Sequence, residues 1–206
     1  IVAAAAQRDV APILIAGLKA LEYRGYDSAG LCVLDGGGLE RLRMPGKVRE
    51  LESLYQSQPV TGHTGIAHTR WATHGAPNEL NAHPHVSRES VAVVHNGIIE
   101  NHDALREELT HAGYRFDSQT DTEVIAHLIH HRMEQGDSLH EAVIAATQRL
   151  RGAYAIAAIS REEPGHVVGA RRGSPLCVGI GIGEHFLGSD VQALIQVTHR
   201  IVYLEE

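Results

Sequence analysis

Ala153-Tyr154-Ala155-Ile156-Ala157-Ala158-Ile159 is apolar or aromatic at every position and is bounded by Gly152 and by Ser160-Arg161. A strand with one wet face alternates apolar and polar residues, and a run this short falls below ordinary helix length. The segment therefore reads as a strand covered on both faces. The same signature recurs in His166 to Ala170, Leu176 to Ile182 and Ile201 to Leu204. Ile1 to Ala6, residues 28 to 34 and 39 to 44 around Gly36-Gly37-Gly38, and residues 64 to 69 and 91 to 95 also read extended. Helical patterns are expected near 102 to 112, 122 to 134 and 138 to 149. An earlier one is capped by Asp9, carries Pro12 in its first turn and Ile13, Leu14, Leu18 and Leu21 on one face, and ends at Arg24-Gly25. Strands and helices interleave without linker or repeat, so one α+β domain is expected, with two sheets whose outer faces are covered by helices.

Composition narrows the function classes. The 206 residues are 43% hydrophobic and 21% charged, which excludes collagenous, low-complexity and disordered chains. A net charge of -7 gives no basic field for nucleic acid or anionic lipid. No apolar run approaches the roughly 18–20 residues that span a bilayer, and the opening Ile1-Val2-Ala3 lacks the basic flank of a signal peptide. Two cysteines, Cys32 and Cys177, are too few for a disulfide framework and read as small buried hydrophobes, so a cytoplasmic protein is expected.

The polar segment His63 to His85 has the composition of a binding loop, and within it Arg70 has the planar fork that grips a carboxylate through two hydrogen bonds. A solvated loop around a packed Trp71 is the plainer alternative. Asn96-Gly97 follows an apolar strand. The dipeptide is the strongest short signal for a type I′ hairpin, yet an Asn amide beside a Gly N–H also supplies two donors for an oxyanion. Thr120-Asp121-Thr122-Glu123 reads as a capping box, with Thr120 as N-cap and Asp121 in the first turn; a carboxylate there complements the helix dipole or binds an ammonium group. Arg70 and Asp121 together would recognise an amino acid. His83-x-His85 and the pair His127 and His131 permit a metal reading but complete no ligand set, so no metal or other cofactor is expected. Arg24-Gly25-Tyr26-Asp27-Ser28 reads on its own as helix-end punctuation.

Leu21-Glu22-Tyr23-Arg24-Gly25-Tyr26-Asp27-Ser28-Ala29-Gly30, Thr69 to Gly75, Asn81 to His85, His95 to Asn101 and Thr120 to His127, in this order, resemble the N-terminal glutaminase domain of the glutamine-fructose-6-phosphate aminotransferases, a class II glutamine amidotransferase. Arg151-Gly152-Ala153-Tyr154, Arg172-Gly173-Ser174-Pro175-Leu176 and Ser189-Asp190 extend the resemblance over essentially the whole chain. It implies the N-terminal-nucleophile fold, a four-layer α/β/β/α sandwich with two mainly antiparallel sheets. It also implies hydrolysis of L-glutamine to glutamate and ammonia. In the family a following sugar-phosphate isomerase domain uses that ammonia on fructose 6-phosphate to make glucosamine 6-phosphate, and a homodimer is expected at full length. By position Asn96 and Gly97 match the oxyanion hole, and Arg70 the carboxylate clamp. Asp121 with Gly97 matches the ammonium site, Thr73 and His74 loop contacts, Trp71 the loop that closes over glutamine, and Arg24 an arginine near the nucleophile. The family opens Cys-Gly-Ile-Val, with the cysteine as nucleophile and its own α-amine as base, whereas this sequence opens Ile1-Val2. Residues 1–206 are thus expected to be one glutaminase domain without its first two residues and without the isomerase domain. A non-catalytic glutamine-binding module and a histidine-based metallohydrolase are the competing expectations.

Overall fold

The computed structural model describes all of residues 1–206. Strand β1 (Val2–Ala5) leads into α1 (Ala11–Ala20), with Pro12 in the first turn as expected. The N-cap is Val10 rather than Asp9; the Asp9 carboxylate accepts from the N–H groups of Ala11 and Gly62, each at 3.2 Å, and so ties the helix start to a distant part of the chain. Leu14, Leu18 and Leu21 are buried, while Ile13 lies at the border of that face. A single 3-10 turn (Glu22–Arg24) and Gly25 end the helix.

The hairpin of β2 (Ser28–Asp35) and β3 (Gly38–Pro45) follows, then helix α2 (Val48–Ser57). The sequence reading did not foresee α2, because only Val48 and Leu51 of it are fully buried and so narrow a stripe is masked by charge. Next come β4 (Thr64–Arg70), β5 (His85–Ser87) and β6 (Val91–Gly97), then α3 (His102–His111), α4 (Glu123–Glu134) and α5 (Leu139–Thr147). The chain closes with β7 (Tyr154–Ser160), β8 (Val168–Arg172), β9 (Cys177–Ile180), β10 (His185–Gly188) and β11 (Ile201–Tyr203). β5 and β10 were not foreseen; strands of three and four residues are too short to show a period.

Two local expectations fail. Asn96-Gly97 does not turn a hairpin: both residues stay in β6, opposite Ala155 and Tyr154 of β7. Thr120 and Glu123 do not form a capping box either, since α4 begins at Glu123 with Thr122 as N-cap and no side-chain cap. The Glu123 carboxylate instead accepts from the N–H groups of Asp117 and Ser118, which orders the approach to the helix. The capping box of this fold is at α5, where Ser138 and Glu141 exchange side-chain-to-backbone bonds.

The strands make a seven-stranded sheet, β11-β9-β10-β1-β4-β2-β3, and a four-stranded sheet, β5-β6-β7-β8. Every strand pairing is antiparallel. Three apolar layers hold the molecule together. One lies between α1, α2 and the outer face of the large sheet, a second between α3, α4, α5 and the outer face of the small sheet. The third lies between the sheets and is rich in small residues, Ala3, Ala92, Ala155 and Ala157 among them. Central strands buried on both faces have no polar face to show, which is why Ala153 to Ile159 does not alternate. No helix is long and apolar enough to cross a membrane.

Candidate active site

β4 and β6 belong to different sheets and end at the same edge of the sandwich, at Arg70 and Gly97. A cavity of about 480 Å³ opens there, and Arg24, Arg70, Trp71, Thr73, Asn96, Gly97 and Asp121 all line it. Of the residues expected from the sequence, only His74 stands behind the wall. Its carbonyl accepts from Arg70 Nη2, and its Nδ1 lies 3.9 Å from Asp121 Oδ1.

Arg70 is buried, and its Nη1 has no hydrogen-bond partner in the protein. Asp27 Oδ1 is 3.8 Å away, close enough to balance the charge and too far to occupy the donor. A buried guanidinium that lines a cavity and keeps one donor without a partner is a site for an anionic oxygen. Asp121 is buried as well; Oδ2 accepts from the Ile99 N–H at 2.7 Å, leaving Oδ1 for a cation.

Gly97 has φ 116, and a Cβ there would stand 2.0 Å from the Ala153 carbonyl oxygen, so no other residue fits. Ile98 N donates to Ala153 O at 3.0 Å, which makes Gly97 opposite Tyr154 a non-hydrogen-bonded position of the ladder. Its N–H and C=O therefore point away from β7. β5 pairs with β6 only from Val91 to Val93, so both groups of Gly97 stay free. Beside it, Asn96 Oδ1 lies 2.7 Å from His68 Nε2, and the amide nitrogen is uncommitted.

The Trp71 side chain is 69% exposed, which removes the packed-Trp alternative. It sits over Gly25, where an added Cβ would meet the ring at 2.7 Å. The start of the loop is pinned by the Asp27 carboxylate, which accepts from Ala72 N–H, and its far end by Asn81, which donates to Ala76 O at 2.9 Å and accepts from Gln119 N. Arg24 pairs with Asp190 at 2.5 Å, and Ser189 Oγ accepts from the Ile1 nitrogen at 2.9 Å.

A family model described as the glutamine amidotransferase domain matches residues 68–196, the stretch that carries Arg70, Trp71, Thr73, His74, Asn96, Gly97 and Asp121 and leaves Arg24 and Asp27 outside it. The chain belongs to the glutamine amidotransferase domain family. It is 61% identical to the glutamine-fructose-6-phosphate aminotransferase (isomerizing) of Pseudomonas putida and 58% identical to that of Escherichia coli, in each case over the whole chain. It spans 34% of the length of these relatives. Among solved structures it is similar to glutamine phosphoribosylpyrophosphate amidotransferase from B. subtilis, with a TM-score of 0.81 at 27% identity, covering 98% of this chain and 44% of that one. A class II glutamine aminotransferase domain protein from Silicibacter pomeroyi has the same fold, with a TM-score of 0.59 at 17% identity over 90% of this chain and 86% of its own. The amidotransferase domain thus has the N-terminal-nucleophile sandwich that the sequence implied.

Further polar residues of the amidotransferase domain line the cavity without having been given a role at the site: His68, Thr69, His83, His95, Thr122 and Ser189. His68 was within reach of a strand argument, because Ile66, His68 and Arg70 share one face of β4 and fixing Arg70 fixes the others. His95 Nδ1 meets Thr122 Oγ1 at 2.9 Å, and burial brings its pKa down to about 4, so it is neutral at pH 7.

The four histidines of the metal reading and the two cysteines are held by packing and hydrogen bonds, and His83 alone of these lines the cavity. His83 stacks on His68, His85 Nε2 meets Thr120 Oγ1 at 2.9 Å, His127 Nδ1 meets Ser87 Oγ at 2.8 Å and His131 meets Gln135. Cys32 lies between the sheets, where burial pushes its thiol up to about 12, and Cys177 Sγ donates to Gly188 O. Neither cysteine lines the cavity.

Proposed function

We propose that this domain hydrolyses L-glutamine to glutamate and ammonia, and that the full-length protein delivers the ammonia to fructose 6-phosphate to form glucosamine 6-phosphate. The observation that carries the reading is the convergence, on the wall of one cavity, of the incompletely bonded Arg70 guanidinium, the free carboxylate oxygen of Asp121 and the uncommitted Asn96 and Gly97 groups. A cationic clamp facing an anionic one selects an α-amino acid, and amide donors beside them suit a carbonyl that becomes an oxyanion. In this reading Arg70 binds the α-carboxylate, while Asp121 and the Gly97 carbonyl bind the α-ammonium. The Asn96 amide and the Gly97 N–H bind the oxyanion. Trp71, Thr73 and His74 belong to the loop that closes over the substrate, and Arg24 with Asp190 shapes the floor near the nucleophile.

The nucleophile in this reading is the thiol of a cysteine two residues ahead of Ile1. Val2 pairs with Ala67 and Ala3 with Ile66, so the same register continued upstream places that residue opposite Arg70. It shares the strand face of Ile1 and Ala3, which pack between the sheets, and Ile1 lines the cavity together with Asn96. The thiol gives its proton to the α-amine and attacks the side-chain amide carbon of glutamine. The amine passes the proton to the leaving nitrogen, ammonia departs and a γ-glutamyl thioester remains. The amine then takes a proton from water, whose oxygen displaces the thiol and completes glutamate. An α-amine with a pKa of roughly 7.7–8.0 is suited to both transfers near neutral pH. A cytoplasmic enzyme, homodimeric at full length, belongs to the same reading.

The test is glutamate release by three chains: one starting at Ile1, one with Cys-Gly ahead of it and one with Ser-Gly. Activity is expected only with Cys-Gly. Equal activity in the chain starting at Ile1 would return the chemistry to Cys32, Cys177 or a metal. Glutamine binding without hydrolysis in the Cys-Gly chain would make the domain a binding module. For the second half of the proposal, the full-length protein is assayed for glucosamine 6-phosphate formed from glutamine and fructose 6-phosphate; ammonia released without transfer would overturn it.

A further inference from the structure

His68 and Asn96 reach toward each other from different sheets. His68 lies on the β4 face that carries Ile66 into the layer between the sheets, and Asn96 on the β6 face that carries Ala92 and Val94 into the same layer. They are the polar end of an otherwise apolar seam, with Nε2 and Oδ1 2.7 Å apart. His68 is buried, and burial holds its pKa well below the usual histidine value, so the ring is neutral at the pH of the reaction. A neutral imidazole carries one N–H, and a carboxamide oxygen can only accept. Nδ1 is buried and has no hydrogen-bond partner, and a buried N–H without an acceptor costs more than a bare lone pair, so the proton sits on Nε2. His83 stacks on the ring at 4.4 Å and 21°, which fixes the plane in which the N–H is aimed.

The consequence falls on Asn96. The terminal torsion of an asparagine side chain is broad and roughly two-fold, so nothing intrinsic distinguishes the rotamer with nitrogen facing the cavity from the one with oxygen facing it. The first stabilises a developing oxyanion, and the second repels it. A donor fixed on the seam side admits only the first. We infer that His68 is the positioning residue of the oxyanion hole: its Nε2–H holds Asn96 Oδ1 so that both Nδ2 hydrogens face the cavity. The inference rests on the glutaminase reading and on Asn96 as an oxyanion donor. A group that aligns a transition-state donor acts on kcat with little effect on substrate affinity.

The experiment measures kcat and KM for glutamine hydrolysis in the full-length protein carrying Cys-Gly ahead of Ile1, with His68→Leu, His68→Gln and His68→Asn. The amide nitrogen of glutamine reaches about as far as Nε2, and that of asparagine about as far as Nδ1, so the two polar variants differ in reach rather than in polarity. His68→Leu and His68→Asn should lose on the order of 10- to 50-fold in kcat with KM within about twofold, less than deletion of the donor itself. His68→Gln should stay within about threefold of the parent. In an Asn96→Ala background His68→Leu should cost nothing further, because its effect passes through Asn96. Three results overturn the inference alone: an active parent indifferent to His68→Leu, a His68→Gln as poor as His68→Asn, or an undiminished His68→Leu effect in the Asn96→Ala background. Where His68→Leu fails to fold, the Gln and Asn pair decides the question. A parent that releases no glutamate overturns the glutaminase reading itself.

Discussion

Two neighbouring places on the small sheet put residues at positive φ, and they do so with opposite choices of residue. Between β5 and β6 the chain reverses through Ser87-Arg88-Glu89-Ser90, with Ser90 N donating to Ser87 O and with φ of 45 at Arg88 and 54 at Glu89, the pattern of a type I′ turn. Neither residue suits that conformation. At the other end of β6, Asn96-Gly97, the dipeptide best suited to such a turn, stays in the ladder at the cavity edge. The turn is held by its surroundings: Arg88 donates to Glu134 at 3.1 Å and lies over the Tyr114 ring. At the cavity, glycine is demanded by the Ala153 carbonyl, and in the proposed reading its free backbone groups and the Asn96 amide serve the substrate. The residues with turn chemistry thus stand where backbone is crowded at a cavity edge, and the real turn is left to residues that tertiary contacts can restrain.

The contrast can be broken most severely at Gly97. Gly97→Ala forces a Cβ to within 2.0 Å of Ala153 O at φ 116. Strain and overpacking together should cost about 2–4 kcal/mol of stability. Glutamine hydrolysis by the Cys-Gly chain should fall below detection, and a variant of ordinary stability and activity would mean that the close approach is not required. Asn96→Ala tests chemistry without backbone strain: kcat should fall by about 10²-fold with little change in KM or in melting temperature. A loss of stability with intact kcat would return Asn96 to a purely structural role.

Arg70→Lys should raise the barrier measured through kcat/KM by about 2 kcal/mol, because an ammonium cannot present two parallel bonds to a carboxylate. A change under about threefold would remove Arg70 from the clamp. The smallest effect belongs to the turn. Glu89→Gly should stabilise the domain by about 0.5–1 kcal/mol in chemical denaturation, with glutaminase activity unchanged, since glycine adopts the left-handed conformation without a Cβ penalty. Destabilisation there would show that Glu89 is held by contacts worth more than its strain.

Pattern reading succeeded where burial is uniform. The unbroken apolar run of β7 announced a strand covered on both faces, and α3, α4 and α5 were placed to within a few residues. It failed where an element's identity depends on a partner distant in sequence. α2 shows too narrow a stripe, β5 and β10 are too short, and Glu123 spends its carboxylate on Asp117 and Ser118 instead of capping its own helix. At the site, residue types fixed the chemistry available at Arg70, Asn96, Gly97 and Asp121. The part played by His68 could not be read, because its partner is 28 residues away on another sheet.

The sequence by itself determined which segments are buried and which side chains could bind an amino acid, since hydrophobic periodicity and functional-group chemistry are local properties of the chain. The tertiary structure decided which way those groups face. The free Nη1 of Arg70, the open oxygen of Asp121, the unpaired N–H of Gly97 and the orientation of the Asn96 amide exist only because β4 and β6 end side by side across the seam. A hydrogen bond is directional and short, so whether a donor is free or taken is settled by neighbours that the chain brings together only when it folds.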